Sequence, residues 1–213
     1  MPVLSGEVTQ RVREKLQGLT APVNLVVFTH DSGSPTGEET RALMEELALT
    51  SDQVYVEFYD VAVDTAKRDD YRIDKVPATV VEGQKDYGIR FFGLPSGYEF
   101  AALLEALRLV SLGDSMLTTS TCEQLKTLTK PVHLQVFVTP PCPYCVEAVQ
   151  TAQQMAIESE LVTTDVVEAA EFPQLSLKYR IFVVPKVIIN EREAFVGAVS
   201  EAEFLAHVMK AGV

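Results

Sequence analysis

The sequence predicts an α/β protein made of two tandem copies of one domain, each a central mixed β-sheet flanked by helices. Three observations carry this prediction. Two segments recur about 108 residues apart, each copy alternates strand-length apolar runs with helical patterns, and the patterning lapses once near the middle of the chain. With 213 residues, the chain is long enough for two small cores.

The internal repeat is visible in two matched segments. Val23-Asn-Leu-Val-Val-Phe-Thr29 recurs as Val132-His-Leu-Gln-Val-Phe-Val138. Tyr71-Arg-Ile-Asp-Lys-Val-Pro77 recurs as Tyr179-Arg-Ile-Phe-Val-Val-Pro185. Because both matches occur in the same order and at similar separation, they indicate a duplicated unit.

The first copy begins with a helical stripe of apolar residues, followed by the strand 23–29. The stripe consists of Val8, Val12, Leu16 and Leu19. Beyond it, apolar spacing predicts a helix at 35–49, a strand at 53–61 and a short helix at 65–71. Pro77 opens the next strand, its partner is 87–92, and a helix at 96–109 closes the unit.

The second copy repeats this order. The predicted helices are 122–128, 142–157, 172–179 and 201–209, and the strands are 132–138, 161–167, 185–189 and 194–196. The last two strands surround an Asn190-Glu191-Arg192 turn. The pattern lapses at 111–115, so we place the domains at 1–112 and 113–213, with a linker short enough for the halves to pack together.

The composition argues against two classes of partner. The formal net charge is −12, spread along the chain, whereas nucleic-acid binding requires concentrated Lys and Arg. No stretch approaches the roughly 18 uninterrupted apolar residues of a membrane helix, and the N-terminus does not resemble a signal peptide. We therefore expect a soluble cytoplasmic protein that binds neither nucleic acid nor membrane.

The strongest local signal is Thr139-Pro-Pro-Cys-Pro-Tyr-Cys145, at a strand-to-helix junction. The first turn of a helix has unpaired N–H groups and the positive end of the macrodipole, which stabilise a thiolate at Cys142. Pro143 then falls at the first helical position, where proline loses no hydrogen bond. Cys145 lies one turn further on the same face, in reach of a disulfide with Cys142.

The cysteine pair could instead be a structural bridge or part of a zinc site. A purely structural disulfide closing so short a loop restricts the unfolded chain only modestly. A zinc site requires two further ligands, and Cys122, His133 and His207 show no suitable pair spacing. Both roles are less well supported than redox chemistry, and we expect no metal.

A Cys-Pro-Tyr-Cys motif at a strand-to-helix junction, followed by Val-Pro at the start of a later strand and then by Gly, is the pattern of the thioredoxin and glutaredoxin superfamily, and the chain resembles that superfamily. The duplicated arrangement is similar to the tandem protein disulfide oxidoreductases, also called glutaredoxin-like proteins. Tandem units also form the N-terminal part of an alkyl hydroperoxide reductase flavoprotein. The resemblance covers almost the whole chain and implies two thioredoxin-like domains.

The resemblance also implies residue roles. Cys142 corresponds to the attacking cysteine and Cys145 to the resolving cysteine. Pro185 corresponds to the cis-proline beside the disulfide, with Pro77 as its counterpart in the first half. The implied substrate-binding set consists of Pro143, Tyr144, Val184 and Pro185.

The chain also departs from the family pattern. Aligning the first strands places Gly33-Ser-Pro-Thr36 where the second half has its cysteines, so the first half is assigned to packing or partner recognition. An anion could bind the turn at 30–34, although an exposed loop is the simpler interpretation. The buried acid of thioredoxins is replaced by Val136, and Glu168 or Glu147 is a candidate for proton transfer in its place.

These features predict a thiol-disulfide oxidoreductase that reduces, forms or isomerises disulfides in protein substrates, with its redox-active disulfide in place of a bound cofactor. The segment 195–200 lacks the Gly-Gly doublet and acidic pair of glutathione-binding relatives, so a thioredoxin-reductase-type flavoenzyme is the expected reductant. Three alternatives stay open: a dedicated electron carrier to a peroxiredoxin, a non-catalytic peptide-binding module, and a metal carrier.

Overall fold

The computed structural model describes residues 3–30 and 34–213. Its helices are α1 (Gly6–Leu16), α2 (Pro35–Ala48), α3 (Thr65–Asp70), α4 (Tyr98–Leu112), α5 (Thr119–Leu125), α6 (Pro143–Glu158), α7 (Pro173–Lys178) and α8 (Glu201–Gly212). Its strands are β1 (Val23–Thr29), β2 (Val54–Asp60), β3 (Ala78–Glu82), β4 (Asp86–Phe92), β5 (Val132–Val138), β6 (Val162–Glu168), β7 (Lys186–Ile189) and β8 (Arg192–Val196). The order helix, strand, helix, strand, helix, two strands, helix therefore occurs twice.

Most predicted elements lie within a few residues of their observed bounds. The stripe proposed for α1 is partly wrong, because Val8 is exposed and Leu19 follows the helix. The helix predicted at 122–128 is displaced to Thr119–Leu125, because the Thr118 side chain accepts a hydrogen bond from the Thr121 N–H and starts it earlier. The turn before β8 is confined to Asn190 and Glu191, both at positive φ.

Within the described residues, the strands form one eight-stranded sheet in the order β2-β1-β3-β4-β6-β5-β7-β8. In each half the first two strands are parallel and the later pairings are antiparallel, which gives a mixed sheet. The halves join where β4 runs parallel to β6, from Ile89 opposite Thr164 to Phe92 opposite Val167. The sequence predicts a central sheet for each half and gives no sign of this junction. The continuous sheet results because β4 and β6 each have an unpaired edge, and pairing the two edges satisfies both rows of backbone groups.

Successive side chains along each strand point to opposite faces of the sheet, so the core is divided between the two faces. One face packs against α4 and α6, with Leu103, Leu107 and Val149 buried in its cluster. The other, smaller cluster surrounds Phe28 and Phe137. No helix in the described parts of the chain is long and apolar enough to cross a membrane.

Candidate active site

The two cysteines of the Cys-Pro-Tyr-Cys motif form a disulfide at the start of α6. Cys142 is the N-cap and Pro143 is the first helical residue, as the sequence predicts. The Cα atoms of Cys142 and Cys145 are 5.5 Å apart, within the usual range for a bridge. Cys142 is 8% exposed and Cys145 2%, so Cys142 is the more accessible residue of the pair. α6 has no acidic residue in its first turn, so the positive end of its dipole faces Cys142 without a nearby carboxylate of its own.

The loop that enters β7 lies at the end of the sheet where the cysteine loop begins. β7 pairs antiparallel with β5, with Lys186 opposite Phe137, so Pro185 falls at the end of β5 from which the cysteine loop departs. The Val184–Pro185 peptide bond is cis, as the resemblance implies, and so is Val76–Pro77 in the first half. The Val184 side chain packs against the core cluster that contains both cysteines.

The backbone of Val184, just before the cis-proline, is unpaired. Its N–H and C=O form no hydrogen bond with any of the described residues. The neighbouring carbonyl of Pro185, in contrast, accepts a hydrogen bond from the Gly197 N–H at 2.8 Å. Unpaired backbone groups of this kind are used by other proteins to bind extended peptides.

The first half of the chain touches the cysteine loop directly. The Tyr98 N–H, at the start of α4, donates to the Pro140 carbonyl at 2.9 Å. Gly97 has φ +55°, and a Cβ there would lie 2.5 Å from the Pro140 oxygen. Only glycine permits this conformation and this approach without displacement. The start of α4 therefore supports the loop that holds Cys142.

Three carboxylates gather at this contact between the halves. Glu99 in α4 and Glu168 at the end of β6 are both buried, and Glu171 follows β6. Glu171 accepts a hydrogen bond from the Leu94 N–H at 2.7 Å, which ties the loop after β4 to the loop after β6. Glu168 pairs with Val138 in the sheet, and Val138 lies four residues before Cys142.

Glu99 is the most perturbed of these acids. Burial, followed by repulsion from Glu168 and Glu171, raises the pKa of Glu99 to about 9. Its Oε1 atom has no hydrogen-bond partner among the described residues. Burial also raises the pKa of Glu168, although Glu168 Oε2 accepts the Glu171 N–H at 2.6 Å. Glu99 is thus a buried carboxyl with a raised pKa and an unpartnered oxygen, one residue after the Tyr98 that bonds the cysteine loop.

The other predicted residues fall as follows. Tyr144 is 71% exposed between the cysteines. Cys122 is half-buried and far from the pair in sequence, near Ser115 Oγ at 3.9 Å. Gly33 of the aligned Gly-Ser-Pro-Thr segment, and most of the turn at 30–34, lie outside the described residues. Within the described ranges, no three His, Cys, Asp or Glu side chains are grouped to hold a metal ion.

Glu99 is the residue that sequence reasoning missed. It lies within an apolar helix segment, Tyr98-Glu-Phe-Ala-Ala-Leu-Leu104. A charged residue at a core position of such a helix is the feature of the sequence that could have indicated a buried carboxyl. Its neighbour Tyr98 donates a hydrogen bond to the Pro140 carbonyl, and this contact depends on packing between the halves.

Comparison with known proteins agrees with this geometry. Residues 132–210 match the thioredoxin domain family. The chain is 32% identical to a protein disulfide oxidoreductase from Aeropyrum pernix k1, with a TM-score of 0.92, covering 98% of this chain and 93% of that one. It is 25% identical to the NTD_N/C domain of alkyl hydroperoxide reductase AhpF from Enterococcus faecalis (V583), with a TM-score of 0.89 and coverage of 96% and 99%.

Curated relatives are longer than this chain. An NADH dehydrogenase of Bacillus subtilis (strain 168) is 23% identical over 96% of this chain and 38% of its own length. The AhpF component of alkyl hydroperoxide reductase from Escherichia coli (strain K12) is 24% identical over 97% of this chain and 37% of its own length. The chain thus spans less than two fifths of these two proteins.

The fold, together with a disulfide at the N-cap of a helix beside a cis-proline, defines a thiol-disulfide oxidoreductase. The chain belongs to the thioredoxin superfamily.

Proposed function

We propose that this chain exchanges disulfides with protein substrates through a dithiol-disulfide cycle of Cys142 and Cys145. The observation that carries the proposal is the bridge between these cysteines at the start of α6, with the more accessible residue of the pair at the N-cap. The position favours a thiolate at Cys142, the form that attacks disulfides. The redox-active disulfide is the only redox group we assign.

In the reducing direction, the Cys142 thiolate attacks one sulfur of the substrate disulfide. A mixed disulfide forms, and the other substrate sulfur leaves as a thiolate that takes up a proton. Cys145 then gives up its proton and attacks the Cys142 sulfur, which releases the second substrate thiolate for protonation. Two electrons and two protons pass to the substrate, and the Cys142–Cys145 disulfide is formed. The reverse sequence oxidises a dithiol.

We assign the proton transfer of Cys145 to Glu99, supported by Glu168. With a pKa of about 9, Glu99 is protonated at neutral pH, so it acts in the oxidising direction, where it donates a proton to the Cys145 thiolate that leaves when a substrate thiolate attacks Cys142. Glu99 has a free oxygen, whereas Glu168 already accepts a backbone hydrogen bond. Glu168 therefore acts as a positioning residue whose charge helps keep Glu99 protonated.

The substrate-binding role belongs, in this proposal, to Pro143, Tyr144, Val184 and Pro185. Tyr144 is exposed beside Cys142, and Val184 offers an unpaired N–H and C=O. An extended segment of the partner could pair with Val184 while its sulfur meets Cys142.

We further infer that the chain comprises two thioredoxin-like domains, 1–112 and 113–213, with redox cysteines only in the second. The repeated order of elements and the repeated cis-prolines support this division. The first domain would then supply Glu99 and the support for the cysteine loop. We place the protein in the cytoplasm, since its cysteine usage is typical of a reducing compartment.

A second candidate function is electron transfer to a peroxide-reducing protein such as a peroxiredoxin. It is favoured by the likeness to the AhpF component of alkyl hydroperoxide reductase over almost the whole of this chain. For this function, the Cys142–Cys145 bridge is reduced by the dithiol of a thioredoxin-reductase-type flavoenzyme, which belongs to the same chain or to another chain.

The test is a titration of the thiols across glutathione redox buffers, with alkylation and mass measurement of Cys142 and Cys145. We expect one reversible two-electron transition confined to this pair, with a midpoint in the superfamily range of about −270 to −120 mV. Cys142→Ser should abolish insulin reduction, and Cys145→Ser should accumulate mixed disulfides. Retained insulin reduction in Cys142→Ser would refute the cycle.

A further inference from the structure

One lysine of the second half is buried directly after the cis-proline. Lys186 is the first residue of β7 and follows Pro185, and only 5% of its surface is exposed. Lysine is almost never fully buried unless it is paired, because taking an ammonium out of water costs free energy. The position of Lys186 therefore requires partners for its charge and for its three N–H donors.

Three oxygen atoms surround the Lys186 ammonium. Nζ donates to the carbonyls of Tyr179 and Arg180, at 3.0 and 3.1 Å, and to a carboxylate oxygen of Glu193 at 3.0 Å. No backbone N–H of the described residues donates to either carbonyl. The lysine thus uses all three of its donors, and it is the donor on which both carbonyls depend.

These contacts join the two ends of the loop that contains the cis-proline. Tyr179 follows the last residue of α7, and Arg180 turns the chain with φ +52°. The ammonium that binds their carbonyls belongs to the residue after Pro185. One side chain therefore fixes both the beginning and the end of the loop 181–185.

The first half shows that the fold does not require a lysine at this position. The equivalent of Lys186, 108 residues earlier, is Ala78, and the Val76–Pro77 bond before it is also cis. The Tyr71 carbonyl accepts a hydrogen bond from Arg90 Nε instead, at 3.3 Å. A cation meets the end of the short helix in both halves. Only in the half with the cysteines does that cation belong to the residue after the cis-proline.

Lys186 lies across the sheet from the disulfide. It pairs with Phe137 of β5, and residues that pair directly point to the same face of a sheet. Phe137 belongs to the smaller core cluster, whereas Cys142 and Cys145 belong to the cluster that packs against α6. The ammonium is therefore on the other face from the sulfurs, and its effect on the reaction passes through the loop.

We propose that Lys186 is a positioning residue, which holds the loop 181–185 in the shape that binds a polypeptide substrate. The inference rests on the proposed function, in which Val184 pairs with an extended segment of the substrate. A loop that is already ordered avoids an entropic cost on binding, so its loss weakens binding and leaves the chemistry of the cysteines unchanged. Lys186 thus controls KM for polypeptides and not the midpoint potential of the disulfide.

Lys186→Met keeps the length of the side chain and removes the ammonium. The Ile181 N–H donates to the Ser176 carbonyl at 2.8 Å, so its hydrogen exchange reports on the order of the loop. We expect this exchange to become at least about tenfold faster in the oxidised variant, because two buried carbonyls lose a charged donor. Glu193→Gln, at an exposed position, leaves the ammonium without its counter-ion and should accelerate the exchange by a smaller factor.

Two substrates, with dithiothreitol as reductant, separate positioning from chemistry. For insulin, we expect KM to rise about tenfold in Lys186→Met, with kcat within about twofold of wild type. Reduction of bis(2-hydroxyethyl) disulfide, which has no polypeptide to pair with Val184, should be unchanged, as should the midpoint potential. Lys178→Met is the matched control and should behave as wild type, because exposed Lys178 ends α7 but pairs with Glu191.

An unchanged KM for insulin, or unchanged hydrogen exchange at Ile181, would overturn the positioning role. Equal losses on both substrates or a shifted midpoint would also overturn it, because Lys186 would then act on the cysteines. If Lys186→Met does not fold, the same comparisons are decided with Glu193→Gln. If the wild-type protein reduces neither substrate, the proposed function fails, and the hydrogen exchange still decides whether Lys186 holds the loop.

Discussion

Replacing Glu99 by Gln should make the protein more stable at neutral and alkaline pH. The pKa of Glu99 is raised from 4.5 to about 9 by burial and by its acidic neighbours. The folded state therefore holds the proton more tightly than the unfolded state. This contribution is fully present below pH 4.5 and is lost as the pH rises through about 9.

The magnitude follows from the linkage relation. Between these two pKa values, the wild-type free energy of unfolding falls by about 1.4 kcal/mol per pH unit through this group alone. Gln is neutral and nearly the same shape, so the variant lacks this dependence. From pH 6 to pH 8, the wild-type protein should lose about 2.7 kcal/mol more stability than Glu99→Gln.

Urea unfolding of the oxidised proteins, followed by circular dichroism at several pH values, measures this difference. Glu14→Gln serves as the control, since Glu14 is exposed on α1. Parallel changes in the free energy of unfolding of wild type and Glu99→Gln between pH 6 and 8 would show that Glu99 is not a buried neutral carboxyl.

The same variant also tests the proton transfer. Gln cannot donate a proton to the departing Cys145 thiolate, so oxidation of a substrate dithiol at pH 7 should slow by about a hundredfold, the lower end of what general acid-base catalysis contributes. A variant that is both more stable and slower separates this role from a structural one. An undiminished exchange rate would remove Glu99 from the mechanism.

Two further predictions concern the contacts between and within the halves. Gly97→Ala should lose about 2 to 4 kcal/mol of stability, because it adds strain at positive φ and a clash with the Pro140 carbonyl. Gly197 has φ +92° and open space around its Cβ position, so Gly197→Ala is the control and should lose only the smaller stability that backbone strain costs. Equal losses of stability in the two variants, measured by urea unfolding, would argue against the clash at Gly97. Asp86→Asn should lose about 1 to 3 kcal/mol at pH 7, since it weakens the paired hydrogen bonds, 2.8 and 2.6 Å, from the buried Arg90 guanidinium. Burial raises the pKa of Asp86, but the hydrogen bonds from Arg90 outweigh this effect and hold the pKa below 3.8. The wild-type protein should therefore be more stable than Asp86→Asn in urea unfolding above pH 4. This difference should disappear as the pH falls through the lowered pKa. An advantage of the same size at pH 2 and pH 7 would contradict the ion pair.

Much of the fold could be predicted because its signals are local. The recurrence of 71–77 at 179–185 marks a duplicated segment that ends in proline, and both prolines follow cis peptide bonds. Cys142 and Pro143 occupy the N-cap and first position of α6 because a strand-to-helix junction can be recognised within a dozen residues.

The sequence by itself therefore determined the α/β class, the order of the elements, and the place of Cys142 and Cys145 at the start of a helix. Only the tertiary structure decided that β4 pairs with β6 and that Glu99 lies with Glu168 beside the cysteine loop. The physical reason is the distance along the sequence over which each interaction acts. Helix caps and apolar periodicity act between residues a few positions apart, whereas pairing of open strand edges and burial of a carboxyl depend on which surfaces meet after the chain has folded.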